Sequence, residues 1–170
     1  MARDHARMKT SLWRPESDFR TLPWEAQWAY EALCQQDALS YAGVLDYRPG
    51  RLSVLASNAT PKKVDAAVTA LRRHRFVLVD DVTEELLVRT YVRHDGVMDR
   101  VNMGKAVARA VQKIHSRDLL HAVANELARL MQDSPTLAGF IGFREIEPDV
   151  MARVEAMAST IPLPIASGEA

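Results

Sequence analysis

The 170-residue sequence is poor in the features that assign a chain most quickly to a class. It has one cysteine, Cys34, which excludes an internal disulfide framework and any multi-cysteine zinc ribbon. No apolar run approaches the roughly 18–20 residues needed to span a bilayer. The opening stretch, Met1-Ala2-Arg3-Asp4-His5-Ala6-Arg7, has no apolar segment behind its charges and does not read as a secretory signal. The seven glycines are scattered, so no phosphate-cradling G-x-x-x-x-G-K-[ST] or G-x-G-x-x-G occurs. H-E-x-x-H, C-x-x-C and G-x-S-x-G are absent too. The five histidines (His5, His74, His94, His115, His121) lack helical metal spacing. His94 and Asp95 are adjacent, and in extended chain they would point opposite ways. Cys34 falls on the buried side of a helix and reads as a small core residue. The expectation is a soluble cytoplasmic protein that is not an enzyme, with no cofactor, metal site, membrane segment or small-molecule substrate.

What is present is an ordinary globular mix, 48% hydrophobic and 26% charged, enough for one domain with an appendage. Aromatics are only 6%, and abundant Ala, Leu, Val and Arg lean toward helix. Lys+Arg and Asp+Glu are both 22, so the formal net charge is zero. That balance argues against non-specific adhesion to polyanions. The distribution argues otherwise. Arg48 to Arg75 holds seven bases (Arg48, Arg51, Lys62, Lys63, Arg72, Arg73, Arg75) against Asp65 alone. Arg100 to Arg117 holds five (Arg100, Lys105, Arg109, Lys113, Arg117) and no acid. Acids gather instead at Glu25 to Asp46, Asp80 to Glu85 and Glu145 to Glu155. Solvated helix faces are the plain explanation, and a cationic face on a neutral chain is the functional one.

Along the chain, residues 1–20 read as a polar, basic arm anchored by Trp13 and Phe19, with a turn at 14–18. A first helix is expected from Leu22 to Gln36, with Thr21 as cap candidate and Pro23 early. Gly43-Val44-Leu45 could supply one rung of a small sheet, and a short helix follows at Arg51 to Ala56. The clearest start is Thr60-Pro61, an N-cap followed by proline at the first helical position. Val64, Ala67, Val68 and Leu71 then form a buried stripe, leaving Lys62, Lys63, Ala66, Thr69, Ala70 and Arg73 outward. Residues 76–80 and 85–92 read as strands of a hairpin around a polar turn.

Farther on, a helix over 100–115 with Met103, Val107, Val111 and Ile114 inward would align Lys105, Arg109 and Lys113 as a basic ridge, continued by Arg117. Ser116 caps a helix from Asp118 to Gln132, with Leu119, Leu120, Val123, Leu127, Leu130 and Met131 as its apolar side. Gly139-Phe140-Ile141-Gly142-Phe143 reads as a loop with exposed aromatics. A last helix is expected from Pro148 to about Ser159, then a disordered tail over 161–170.

Helix-turn-helix readers of DNA lay one helix across the backbone and the next in the major groove. The entering helix needs short or polar outward residues and cations near phosphates. The 60–74 helix meets that description, with Arg48 and Arg51 flanking the same phosphates.

At this point the sequence resembles the winged helix-turn-helix fold. More narrowly, it is similar to short phage and prophage proteins of actinobacteria whose N-terminal half is that fold. The residues carrying the resemblance start at His5-Ala6-Arg7 with Lys9, Asp18-Phe19-Arg20, Ala26-Gln27, Leu39-Ser40 and Gly43-Val44. They continue through Arg48-Pro49-Gly50-Arg51, Leu55-Ala56, Val79-Asp80, Thr83-Glu84-Glu85, Leu87-Val88-Arg89 and Val92-Arg93-His94-Asp95-Gly96. The resemblance implies a DNA-binding replication or regulatory factor, with 60–74 as recognition helix and 76–92 as wing. One departure stands out. The wing tip carries Asp80, Asp81, Glu84 and Glu85 and no base, so a phosphate backbone would repel it, and the wing is expected to point away from DNA.

The fold expected is therefore mainly α (α+β). It comprises an arm (1–20), a winged helix-turn-helix domain (21–96), a helical extension serving dimerisation (97–160) and a tail (161–170). The function expected is sequence-specific binding of double-stranded DNA by a homodimer, in transcription regulation or replication initiation of a phage or mobile element. The DNA face would comprise Arg48, Arg51, Lys62, Lys63, Thr69, Arg72, Arg73, Lys105, Arg109 and Lys113. The rival is a protein-interaction adaptor on the same scaffold, which zero net charge and an acidic wing favour.

Overall fold

The computed structural model describes residues 10–161, so the arm's first nine residues and the tail from 162 lie outside the described residues. Two 3-10 turns, Thr10–Trp13 and Asp18–Thr21, precede α1 (Trp24–Cys34), β1 (Val44–Asp46), α2 (Pro49–Ser53), α3 (Pro61–Arg73), β2 (Val77–Asp80) and β3 (Glu85–Val88). Then come α4 (Tyr91–His94), α5 (Val101–Val111), α6 (Arg117–Asp133), α7 (Gly139–Ile146) and α8 (Pro148–Thr160). The protein is mainly helical with one three-stranded antiparallel sheet, ordered β1-β3-β2. Val44 and Leu45 of β1 face Leu87 and Leu86, and Val77 to Asp80 of β2 face Val88 to Glu85 in turn.

The segment before α1 is part of the core. Phe19 is fully buried and meets Trp13, Tyr30 and Phe76 edge-on, with ring centroids 5.3–5.6 Å apart. Thr21 does not cap α1. Its hydroxyl donates to the Asp18 carbonyl at 2.7 Å and closes the preceding turn, and α1 begins behind Pro23. The short second helix starts two residues earlier than expected, because Pro49 fits an early helical position that lacks an N–H partner anyway.

α3 forms as its sequence dictates. The Thr60 hydroxyl accepts from the Lys63 amide at 3.3 Å, and Val64, Ala67, Val68 and Leu71 are all buried, against α1, α2 and β2. The second hairpin strand is shorter than expected. β2 begins opposite Val88, so the ladder runs out after an Arg89 N–H bond to Phe76 O, and the chain winds into α4.

All four residues of β3 are buried although alternate side chains point to opposite faces. The sheet is therefore covered on both sides, with α1 and α3 contributing to the first core layer and α6 reaching β2 and α4 from the C-terminal half. Those later helices satisfy each other: α5 packs on α7, and α6 on α8. The stretch expected to be a loop at 139–143 is the start of helix α7, with Phe140 and Phe143 buried rather than exposed. Its glycines serve approach, not bending. A methyl on Gly104 would fall inside the Gly139 carbonyl, and one on Gly142 inside the Val101 carbonyl, so backbone lies directly on backbone. No helix of the described residues is long and apolar enough to cross a membrane.

Candidate nucleic-acid interface

The α3 stripe fixes which side chains can face outward. At about 100° per residue, the direction opposite Val64, Ala67, Val68 and Leu71 belongs to Lys62, Ala66, Thr69 and Arg73. Lys62, Ala66 and Arg73 are exposed, and Thr69 is half-buried. Neither Lys62 nor Arg73 forms an ion pair among the described residues. The C-terminal helices leave this face open.

Other expected members of the face are turned aside. Lys63 and Ala70 lie on the flank toward α1, and the Lys63 ammonium donates to the Asn58 carbonyl at 2.9 Å. Arg72 lies on the opposite flank, where its guanidinium pairs with Asp81 of the hairpin turn at 3.3 Å. Arg48 sits at the start of α2 within 3.8 Å of Glu84 and 4.0 Å of Asp46. The one acid of the first basic block, Asp65, is engaged by the Tyr47 hydroxyl at 3.0 Å. Burial and that carboxylate together push the Tyr47 hydroxyl above its ordinary range.

The second basic block does not form a continuous ridge. α5 ends at Val111, which places Lys113 beyond it, and Lys105 is tied to Glu145 of α7 at 2.5 Å. Arg109 stays exposed. The helix stops early because the His115 and Ser116 amides are taken by the Glu85 carboxylate, at 3.1 and 2.7 Å. The break has a useful result. Lys113 comes to line one cleft of about 330 Å³ with Arg48 and Arg51, joining the two basic blocks, and the carboxylate residues Asp46 and Glu85 line the same cleft.

The acidic turn is mostly a structural device that sequence reasoning missed. Asp80 and Glu85 are directly opposed across the hairpin, a placement that costs free energy for like charges. Both face the N-terminus of α6, whose unpaired amides and dipole favour anions. Burial works to raise the Glu85 pKa, but hydrogen bonds from His115 and Ser116 outweigh it and hold the carboxyl below the ordinary range. Asp80 is also held low, by the Ser116 hydroxyl first and then by the Val82 and Thr83 amides. Ser116 meanwhile caps α6 by accepting from the Leu119 amide at 3.2 Å. A serine one residue before α6 was the only signal of this junction in the sequence.

Another ion-pair group crosses the halves. Glu126 of α6 is buried, 3.3 Å from Arg93 and 3.9 Å from Arg89. Among the described residues, no group of three or more His, Cys, Asp or Glu could hold a metal ion. Compared with family models, curated proteins and solved structures, the chain matches none.

Proposed function

We propose that this chain binds double-stranded DNA sequence-specifically through a winged helix-turn-helix. In this reading α2 and α3 are the helix-turn-helix, α3 enters the major groove, and the β2–β3 hairpin is the wing. Two features of the fold support it. The order helix, strand, helix, helix, strand, strand with sheet order β1-β3-β2 suits that architecture. The short second helix leads through the 54–60 turn into a longer, capped third one. The observation that carries the reading is the open face of Lys62, Ala66, Thr69 and Arg73, short in the middle and cationic at both ends.

Arg51 and Lys113, which form no ion pair among the described residues, would hold phosphates beside the groove, with Arg109 farther along. Regulation of transcription or initiation of replication in a phage or mobile element is the role proposed. The test is anisotropy titration of duplexes selected from a random pool. Lys62→Glu with Lys63→Glu should abolish binding with the circular dichroism spectrum unchanged. Wild-type affinity should fall steeply between ~50 and ~200 mM salt if several phosphates are contacted. Unchanged affinity in the double variant removes α3 as the reader.

The adaptor reading keeps one observation in its favour, a large apolar groove beside α3. An adaptor would bind no duplex at any ionic strength.

A further inference from the structure

The groove between the start of α1, the 54–60 turn and α3 has a volume of about 800 Å³ and is lined by Trp24, Trp28, Ala59, Ala66, Ala67 and Ala70 among others. Trp24 remains 70% exposed on its wall, so the groove is an apolar surface facing water. Lys63 lines its α3 wall with Lys62 next to it on the outward face of that helix, and Glu25 lines its α1 wall.

The hairpin turn has the complementary character. Val82 is 93% exposed, the most exposed large apolar side chain among the described residues. Tight turns favour Gly, Asn, Asp and Ser, and nothing local requires a β-branched apolar residue at this tip. Asp81 and Glu84 flank it with side chains 71% and 67% exposed. Their partners Arg72 and Arg48 are about half exposed, so these pairs hold the tip weakly. Glu84 also adopts left-handed backbone at φ 53°, a conformation that glycine takes without strain, yet a carboxylate is kept there. Groove and turn lie on opposite flanks of α3, the first beside Lys63 and Ala70 and the second beside Arg72, so one copy cannot fill its own groove.

We propose that the hairpin tip of one copy docks in the α1–α3 groove of a second copy. Val82 enters between Trp24 and the alanines of α3, while Asp81 and Glu84 face Lys63 and the adjoining Lys62. Reciprocal exchange of two tips closes a two-fold dimer. Because the docked tip covers Ala66 and its basic neighbours, self-association and duplex binding exclude each other. That last consequence alone rests on the DNA-binding reading.

The test is sedimentation equilibrium of the full chain with two charge-reversed variants, Asp81→Lys with Glu84→Lys, and Lys62→Glu with Lys63→Glu. Each alone sets like charges against each other, and its association should weaken at least about tenfold. Mixed, the two should associate again, since every tip then meets a groove of opposite sign. Val82→Asp, at a position too exposed to affect folding, should also be monomeric. A wild-type chain that stays monomeric through the micromolar range overturns the proposal, as does association that survives Val82→Asp or an equimolar mixture that does not recover. Duplex affinity in the same samples separates the two readings. A dimer with these properties and no affinity for DNA at any salt concentration leaves the docking intact and removes the DNA-binding reading.

Discussion

α3 and the hairpin that follows it are both highly charged, with opposite signs, and they use charge differently. α3 is held by its apolar stripe, and its outermost cations have no partner within the described residues. At the hairpin, Asp80 and Glu85 secure the N-terminus of α6, and only Asp81 and Glu84 remain at the tip. Charge that holds a fold together has its hydrogen bonds satisfied inside it, whereas charge available to a partner stays solvated. The comparison shows why counting bases and acids along a sequence does not identify a binding face.

Substitutions can break this contrast, and urea denaturation at pH 7 measures each. Leu71→Ala removes a fully buried side chain from under α3 and should cost about 2–5 kcal/mol. Glu85→Ala orphans the His115 and Ser116 amides and should cost about 1–3 kcal/mol, while Glu84→Ala at the exposed tip should stay within roughly 0.5 kcal/mol. Equal costs at the two positions would erase the distinction between base and tip. Thr60→Ala removes the α3 cap and should cost ~1 kcal/mol. Asp81→Asn, which loosens only the exposed pair with Arg72, should change stability by less than about 1 kcal/mol.

A pH series sharpens the contrast. The folded-state pKa of Glu85 lies below the ordinary glutamate value, so its stabilisation is present above that value and lost as pH falls through the folded one. The stability gap between wild type and Glu85→Gln should therefore narrow on acidification below the ordinary glutamate range. A gap that stays constant or widens would show that the carboxylate does not hold α6.

Much of the N-terminal half was legible. Thr60, Pro61 and a stripe at i, i+3, i+4 and i+7 define α3 by local rules, and the β-branched runs around 81–84 define the hairpin. What failed depends on partners distant in sequence. Gly139 and Gly142 looked like loop residues because low helix propensity is all that one sequence shows, whereas their role is set by the backbone of 98–104 lying against them. Lys105 looked like part of a ridge until α7 supplied Glu145. Glu85 looked like wing surface because the amides it binds are 30 and 31 residues away. The candidate face was half legible: Lys62, Thr69 and Arg73 follow from periodicity, but Arg72 and Arg48 could not be set aside without the hairpin's geometry.

The carboxylate anchoring α6 also bears on how the molecule opens. A chain cut after residue 96 would lose the cover over one side of its central strand and leave a buried acid with no amide to receive. The hairpin and the long helix behind it should exchange their amide hydrogens as one cooperative unit, so the N-terminal half should not fold as a freestanding module.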